Sequence, residues 1–371
     1  MNMRQVFDLA WTFLFASACL LIGWVSITHP TPMDKLVHEA RPLTPFPPLQ
    51  KIDDWKRFPE RFEAYFEDRL VCRESLLNWH ATIKVRGLGV SSSPKVILGE
   101  DGWLFFDASQ EPHRVVSDSP IAQAQLWLES LQNWQKWCER RQIYYVVVLI
   151  PEKQSVYEEK LPPAHRPPQP KSAVDLFREI APQQLGESYL DLLPELRKTK
   201  TIRPLYFRTD THWNDDGAFV GYDALARRLG LDPMANTNLI EETVTGFEGD
   251  LARMLHLPQP LTETIRFWRL RTPRAARQSL EVPLDSRLHS PRTLAPQVWS
   301  TKDANKPRGV LFHDSFAERL WLPLLAEHFD ELVYAPAMAP DPQIIDRFRP
   351  AVVIHQMVER RINFHIPVSP R

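Results

Sequence analysis

The sequence predicts an α/β fold in which helices cover both faces of a parallel sheet, preceded by one N-terminal transmembrane helix. Three observations carry this. Tyr144–Ile150 is an unbroken apolar run rich in β-branched residues, the pattern of a strand buried on both faces. Three further short apolar runs, at 309–312, 331–334 and 351–355, have a helical segment between the first two, and such alternation points to a parallel sheet. Residues 9–28 carry no charged side chain, and twenty such residues as a helix span about 30 Å of hydrocarbon.

Composition narrows the function. At 371 residues and 43% hydrophobic, the chain can hold one large domain or two ordinary ones around a substantial core. Lys+Arg at 45 and Asp+Glu at 46 leave a net charge of -1, so no basic field exists to hold nucleic acid. Cys19, Cys72 and Cys138 show no paired metal spacing and no dense disulfide framework; a Cys72–Cys138 bridge and two unpaired buried thiols both fit. The 34 prolines cluster, which marks extended linkers and rigid loops, and most of the 12 tryptophans are assigned to core.

The uncharged run at 9–28 has Trp11 and Trp24 near its two ends, as an interfacial belt requires. A cleaved signal peptide is the alternative. The run is longer than a usual signal-peptide core, and the loosely cleavage-like Ala16-Ser17-Ala18-Cys19 falls in its middle. Residues 1–28 are therefore read as an uncleaved signal anchor, with Arg4 inside and the bulk of the chain outside the cytoplasm. Residues 29–50, with Pro30, Pro32, Pro42, Pro45, Pro47 and Pro48, read as a stiff, extended tether.

The remainder, 51–371, reads as one domain in which 231–306 is an irregular insertion with some β-structure. Phe62, Tyr65, Phe66 and Leu70 predict a helix within 55–79. A hairpin at 95–106 turns at Gly99-Glu100-Asp101-Gly102. Ser119-Pro120 opens a helix whose stripe is Ala124, Trp127, Leu128, Leu131, Trp134 and Cys138. A helix at Ala173–Leu185 and a short strand at 189–192 follow. Asn214 or Asp215 then caps a helix with Phe219, Tyr222, Leu225 and Leu229 on one face, ending at Gly230.

Chemistry concentrates at two junctions. In Gly309-Val310-Leu311-Phe312-His313-Asp314-Ser315-Phe316, an apolar strand stops at a polar pair and a helical segment, 317–329, follows. A serine there is lifted out of the sheet beside the N–H groups of the next turn, where a carbonyl can be attacked and an oxyanion stabilised. In Asp210-Thr211-His212-Trp213-Asn214, side chains two apart point the same way, so Asp210 can hold the His212 tautomer and leave the other nitrogen as a base. His313 is assigned to packing beneath Ser315, and Asp314 to supporting the turn through its backbone. A competing use of the same residues is a metal site of N/O ligands drawn from Asp210, His212, His313 and Asp314, with Asp215 and Asp216 in reserve.

Four stretches together resemble the SGNH-hydrolase-like proteins of alginate and other exopolysaccharide O-acetylation, the AlgJ/AlgX-like family. They are Gly102-Trp103-Leu104-Phe105, Pro151-Glu152-Lys153 through Val156-Tyr157, the Asp210-Thr211-His212-Trp213-Asn214 block and His313-Asp314-Ser315-Phe316. Gly249-Asp250-Leu251 and Glu359-Arg360 look similar as well. The resemblance implies a three-layer, flavodoxin-like α/β/α fold in which the Asp-x-His pair precedes the serine, a permuted order that this chain shows. It implies Ser315 as acetyl-accepting nucleophile, His212 as base and Asp210 as its orienter, with no cofactor and no metal. It further implies a polysaccharide acceptor, a multi-pass membrane O-acyltransferase as acetyl donor, and a domain held in the periplasm by an inner-membrane anchor.

Two departures stand out. His313 occupies the place where ordinary SGNH enzymes have glycine, and no Gly-x-Asn block supplies a second oxyanion donor. Seven residues follow Phe364, which leads to the expectation of an anchored, single-domain type without a carbohydrate-binding module. An extracytoplasmic acetylesterase with the same triad, a non-catalytic polysaccharide-binding scaffold and a metal-dependent hydrolase are the competing functions.

Overall fold

The computed structural model describes residues 3–28, 44–48, 52–70, 73–110, 119–166, 171–278, 296–337, 339–365 and 367–370. The chain forms two compact units, one made of 1–96 with 252–261 and the other of 97–251 with 262–371.

In the first unit, α1 (Met3–Thr28) is one continuous helix. Its Arg4–Ser26 stretch has a mean hydropathy of 1.9 and is long and apolar enough to cross a membrane. Where the sequence predicts a helix within 55–79, the described residues form α2 (Ile52–Lys56), α3 (Phe58–Glu67) and α4 (Arg73–Ala81). Pro59 explains the first break, because proline fits the opening turn of a helix and not its interior. The rings of Phe58, Phe62 and Tyr65 gather on Phe46, with centroids 5.2–6.4 Å apart. The Asp68 carboxylate accepts the Thr44 N–H at 2.8 Å, fixing that segment to the end of α3.

The second unit is a three-layer α/β/α sandwich. Its seven-stranded sheet has the order β4-β3-β11-β9-β10-β8-β7. The strands are β3 (Tyr144–Ile150), β4 (Tyr189–Asp191), β7 (Ala276–Gln278), β8 (Gln297–Ser300), β9 (Arg308–His313), β10 (Glu331–Pro336) and β11 (Val352–Val358). The first five in spatial order run parallel. The last two are antiparallel additions at one edge, so the sheet is mixed and not purely parallel. Both come from the segment expected to be an irregular insertion, which thus closes one side of the sheet. The same segment also forms a separate two-stranded ribbon, β5 (Leu239–Phe247) with β6 (Glu263–Leu270). A further short pair is β1 (Val96–Leu98) with β2 (Leu104–Phe106).

Alternation along the strands feeds two cores. Tyr145, Val147, Leu149, Val310, Phe312, Val353 and Met357 face the layer of α5 (Pro120–Glu139), α7 (Ala173–Leu185) and α12 (Pro342–Phe348). Val146, Val148, Ile150, Leu311 and Ile354 face the layer of α9 (Asp215–Arg228) and α11 (Trp321–Ala326). A strand buried on both faces has no polar side to show, which is why these runs read as unbroken apolar sequence. The stripe expected on α5 is buried throughout, from Ala124 to Cys138. Cys138 is an unpaired buried thiol, and Cys72 lies outside the described residues. The helix expected at 317–329 is broken: a 3₁₀ turn at Ser315–Ala317 is followed by α11, which restarts with Pro323 in its first turn.

Candidate functional site

The serine junction is built by Asp314. Strand β9 ends at His313, and Asp314 caps the 3₁₀ turn by accepting the Phe316 N–H on Oδ1 at 3.0 Å. Gln356, next door on β11, reads both ends of the same residue. Its amide donates to Asp314 Oδ1 at 2.8 Å, and its carbonyl accepts the Asp314 N–H at 3.0 Å. Asp314 Oδ2 takes the Val358 N–H at 2.8 Å and pairs with Arg361 at 3.5 Å. Burial pushes this carboxyl up, but Arg361 and these donors outweigh it and hold its pKa below the ordinary value. The side chain of Asp314, and not its backbone alone as expected, therefore pins the turn. Ser315 is left exposed on top of it.

His313 lies beneath, 1% exposed, its ring 3.7 Å from that of Tyr334 and its Nδ1 donating to the Asp314 carbonyl at 2.7 Å. Burial lowers its pKa to about 4, so it is neutral at physiological pH.

The second junction is a tight hairpin. Tyr206 and Trp213 bridge across it, and the Asn214 N–H reaches the Leu205 carbonyl at 3.0 Å. Asn214 then caps α9 through the Gly217 N–H. At the tip, Asp210 Oδ1 accepts the His212 N–H at 3.0 Å and the ring Nδ1–H at 2.7 Å. This fixes the tautomer and aims Nε2 outward, 2.9 Å from Ser315 Oγ. Burial opposes charge on both partners, yet their hydrogen bond and mutual attraction win. The Asp210 pKa falls and the His212 pKa rises above its ordinary 6.5.

The hairpin is fastened to the serine turn. Trp213 Nε1 donates to the Phe316 carbonyl at 2.8 Å, and the His212 and Phe316 rings lie 4.9 Å apart. Residues at 210–213 and 314–316, a hundred positions apart in the chain, thus form one unit.

Sequence reasoning placed no role on Asp250. Its N–H donates to Asp210 Oδ2 at 2.9 Å, and its carboxylate accepts the Thr211 N–H at 2.7 Å. Gly249 makes this approach possible: a Cβ there would sit 2.3 Å from the Thr209 carbonyl. Gln356 was missed too, since it lies within an apolar strand. The motif Gly249-Asp250-Leu251 was the one available signal for Asp250.

The metal arrangement expected as an alternative does not form from the residues named for it. Asp215 faces Arg319 and the Trp268 N–H, and Asp216 pairs with Arg203 and Arg266. His313 Nδ1 bonds the Asp314 carbonyl, and the Asp314 carboxylate is taken by Phe316, Gln356, Val358 and Arg361. The set that does converge is Asp210, His212 and Asp250. Asp210 Oδ1 bonds the His212 N–H and Nδ1–H, Asp210 Oδ2 the Asp250 N–H, and the Asp250 carboxylate the Thr211 N–H, so the three groups hold one another and the loop.

In the serine turn, the Phe316 N–H is spent on Asp314 Oδ1 and the Ala317 N–H on the Asp314 carbonyl. Among the described residues, the Ser315 N–H is the backbone donor of this turn left to an oxyanion.

A parallel-centred α/β/α sandwich with Ser, His and Asp converging at the carboxyl ends of its strands defines an SGNH-hydrolase-like protein. Residues 96–288 match the family described as SGNH hydrolase-like domain, acetyltransferase AlgX, and the chain belongs to that family. The matched region contains Asp210 and His212; Ser315 lies beyond it. The chain is 26% identical over 209 residues to the probable alginate O-acetylase AlgJ of Azotobacter vinelandii, covering 55% of this chain and 52% of that one. It is 29% identical over 195 residues to the protein of the same name from Pseudomonas aeruginosa, covering 50% and 44%. The chain therefore spans about half the length of the curated relatives it matches. Among solved structures, Bacillus cereus PatB1 with a sulfonyl adduct shares the fold, with a TM-score of 0.55 at 15% identity over 74% of this chain and 100% of that one.

Proposed function

We propose that this protein moves acetyl groups onto hydroxyls of a polysaccharide through an acetyl-serine intermediate. The observation that carries the reading is the continuous relay from Asp210 Oδ1 through His212 to Ser315 Oγ, at 2.7 and 2.9 Å. His212 takes the Ser315 proton as the hydroxyl attacks the acetyl carbonyl, and the Ser315 N–H faces the developing oxyanion. His212 then gives its proton to the leaving group. In the second half, a sugar hydroxyl loses its proton to His212 and attacks the acetyl-serine, and the serine recovers its proton.

The substrate side of the proposal rests on the relatives, two of which are named as probable alginate O-acetylases. Alginate or a similar exported polysaccharide is the acceptor in this reading. The apolar α1 holds the rest of the chain at the inner membrane, on the periplasmic side; of the expected tether, 44–48 packs on α3 and the remainder lies outside the described residues. A multi-pass membrane O-acyltransferase supplies acetyl groups from the other side. The exposure of Ser315 favours one second reading, a carbohydrate acetylesterase in which water takes the place of the sugar hydroxyl.

The test is turnover of an activated acetyl ester by the full chain in detergent, with and without oligosaccharide. Ser315→Ala is expected to lose about 10³-fold or more. Acetylated sugar is the product expected of the transferase, and free acetate alone, unaffected by the oligosaccharide, that of the esterase. Undiminished turnover by the alanine variant would remove the serine from the mechanism.

A further inference from the structure

We propose that the ammonium of Lys153 is the positioning residue of this site, a buried cation that holds the Asp210–His212 loop in register with Ser315. The inference rests on the relay proposed above and concerns how that relay is held.

Lys153 lies three residues past the end of β3, at the start of α6 (Lys153–Val156), at the carboxyl edge of the sheet. Its side chain is 1% exposed. Nζ donates to the carbonyls of Phe207 at 3.0 Å, Arg208 at 3.3 Å and Asp210 at 2.6 Å. All three hydrogen bonds go to backbone carbonyls of the loop that bears the catalytic pair, and none to a carboxylate. A lysine used merely to fill space would send its amine to water or to an acid. Here three acceptors converge on one atom, and an ammonium has three N–H donors to match them.

The match depends on charge. A neutral amine donates two hydrogens and turns its lone pair toward the third carbonyl, which repels it. The surroundings bring that loss within reach. Nζ lies 5.4 and 5.9 Å from the rings of Phe105 and Trp103, and burial lowers its pKa to about 7. The carboxylates that face it and work the other way are Asp210, Asp250 and Glu263 around the loop and Glu152 beside it. Above neutrality the loop loses a clamp, and His212 Nε2 loses its fixed distance from Ser315.

The two titrations oppose each other. His212 must be neutral to act as base, so reactivity rises with pH through a value above 6.5. Lys153 must be charged to hold the loop, so reactivity falls as pH passes its own value. The result is a narrow bell.

The experiment reads the rate at which a fluorophosphonate modifies Ser315 in the full chain in detergent, followed by intact mass across pH. This probe needs the activated hydroxyl and no acetyl donor or acceptor, so its outcome is separate from that of the transfer assay. The unaltered protein is expected to show both limbs. Lys153→Met is expected to react about 10²-fold more slowly at the optimum and to show the acid limb alone. A wild-type plateau reaching about pH 9.5 would overturn the proposal, and so would Lys153→Met reacting at the wild-type rate. A slowed variant that keeps the wild-type alkaline limb would reduce Lys153 to a structural role and overturn it equally. If Lys153→Met does not fold, the wild-type profile decides. Should Lys153 govern labelling while no acetyl transfer is found, the clamp stands and the transferase reading falls.

Discussion

Asp210 does more than touch His212. One oxygen takes both the backbone and ring N–H groups of His212, and the other takes the Asp250 N–H, so the carboxylate builds the loop that holds its own partner. Replacing it by Asn keeps the shape and removes the charge. In the proposed mechanism, Asp210→Asn should lower kcat by about 10⁴-fold by favouring the wrong tautomer. It should also move the acid limb of the pH profile downward, because the Asp210 hydrogen bond and charge are what lift the His212 pKa against burial. Steady-state rates of ester turnover from acid to neutral pH check this; an unmoved limb would detach Asp210 from His212. The pair was legible in the sequence because its two members are two residues apart. Lys153, Asp250 and Gln356 were not, because each meets its loop from 40 to 57 positions away, and no local spacing encodes such a contact.

At the scale of elements, the readable parts were those whose environment repeats along the chain. Tyr144–Ile150 faces apolar layers on both sides, and Ala173–Leu185 begins at a capping box between Ser172 and Asp175. The ribbon β5 was unreadable because most of its residues are exposed on both faces, leaving no alternation. Strands β7 and β8 are edge additions of three and four residues, too short to carry a pattern. Gly249 joins the insertion to the site. Its Cβ would overlap the Thr209 backbone at 2.3 Å and the Asp210 nitrogen at 2.5 Å, and backbone cannot turn aside as a side chain can. Gly249→Ala should destabilise the second unit by about 1–3 kcal/mol, read from urea unfolding, and should slow fluorophosphonate labelling of Ser315 in the protein that remains folded. Wild-type stability and labelling together would show that the close approach is dispensable.

For the whole molecule, strand order places the site. The chain runs outward from β3 to β4 on one side and from β9 to β10 on the other, returning to set β11 between β3 and β9. Such a reversal opens a crevice at the carboxyl ends, where Lys153, Ser315 and the Gln356–Asp314 pair gather. The proposed anchoring by α1 adds a second, separate expectation. Alkaline extraction of membranes should leave the chain in the pellet, and protease added to spheroplasts should digest 51–371; release into the supernatant or full protection would contradict that arrangement. The claim on which the rest depends is the covalent step. The most direct measurement is mass spectrometry of the acid-quenched full chain after brief exposure to an activated acetyl ester. The mechanism predicts a gain of about 42 Da on the peptide containing Ser315, absent in Ser315→Ala. Turnover with no adduct on that peptide, or an adduct that persists at another residue in Ser315→Ala at the wild-type rate, would contradict it.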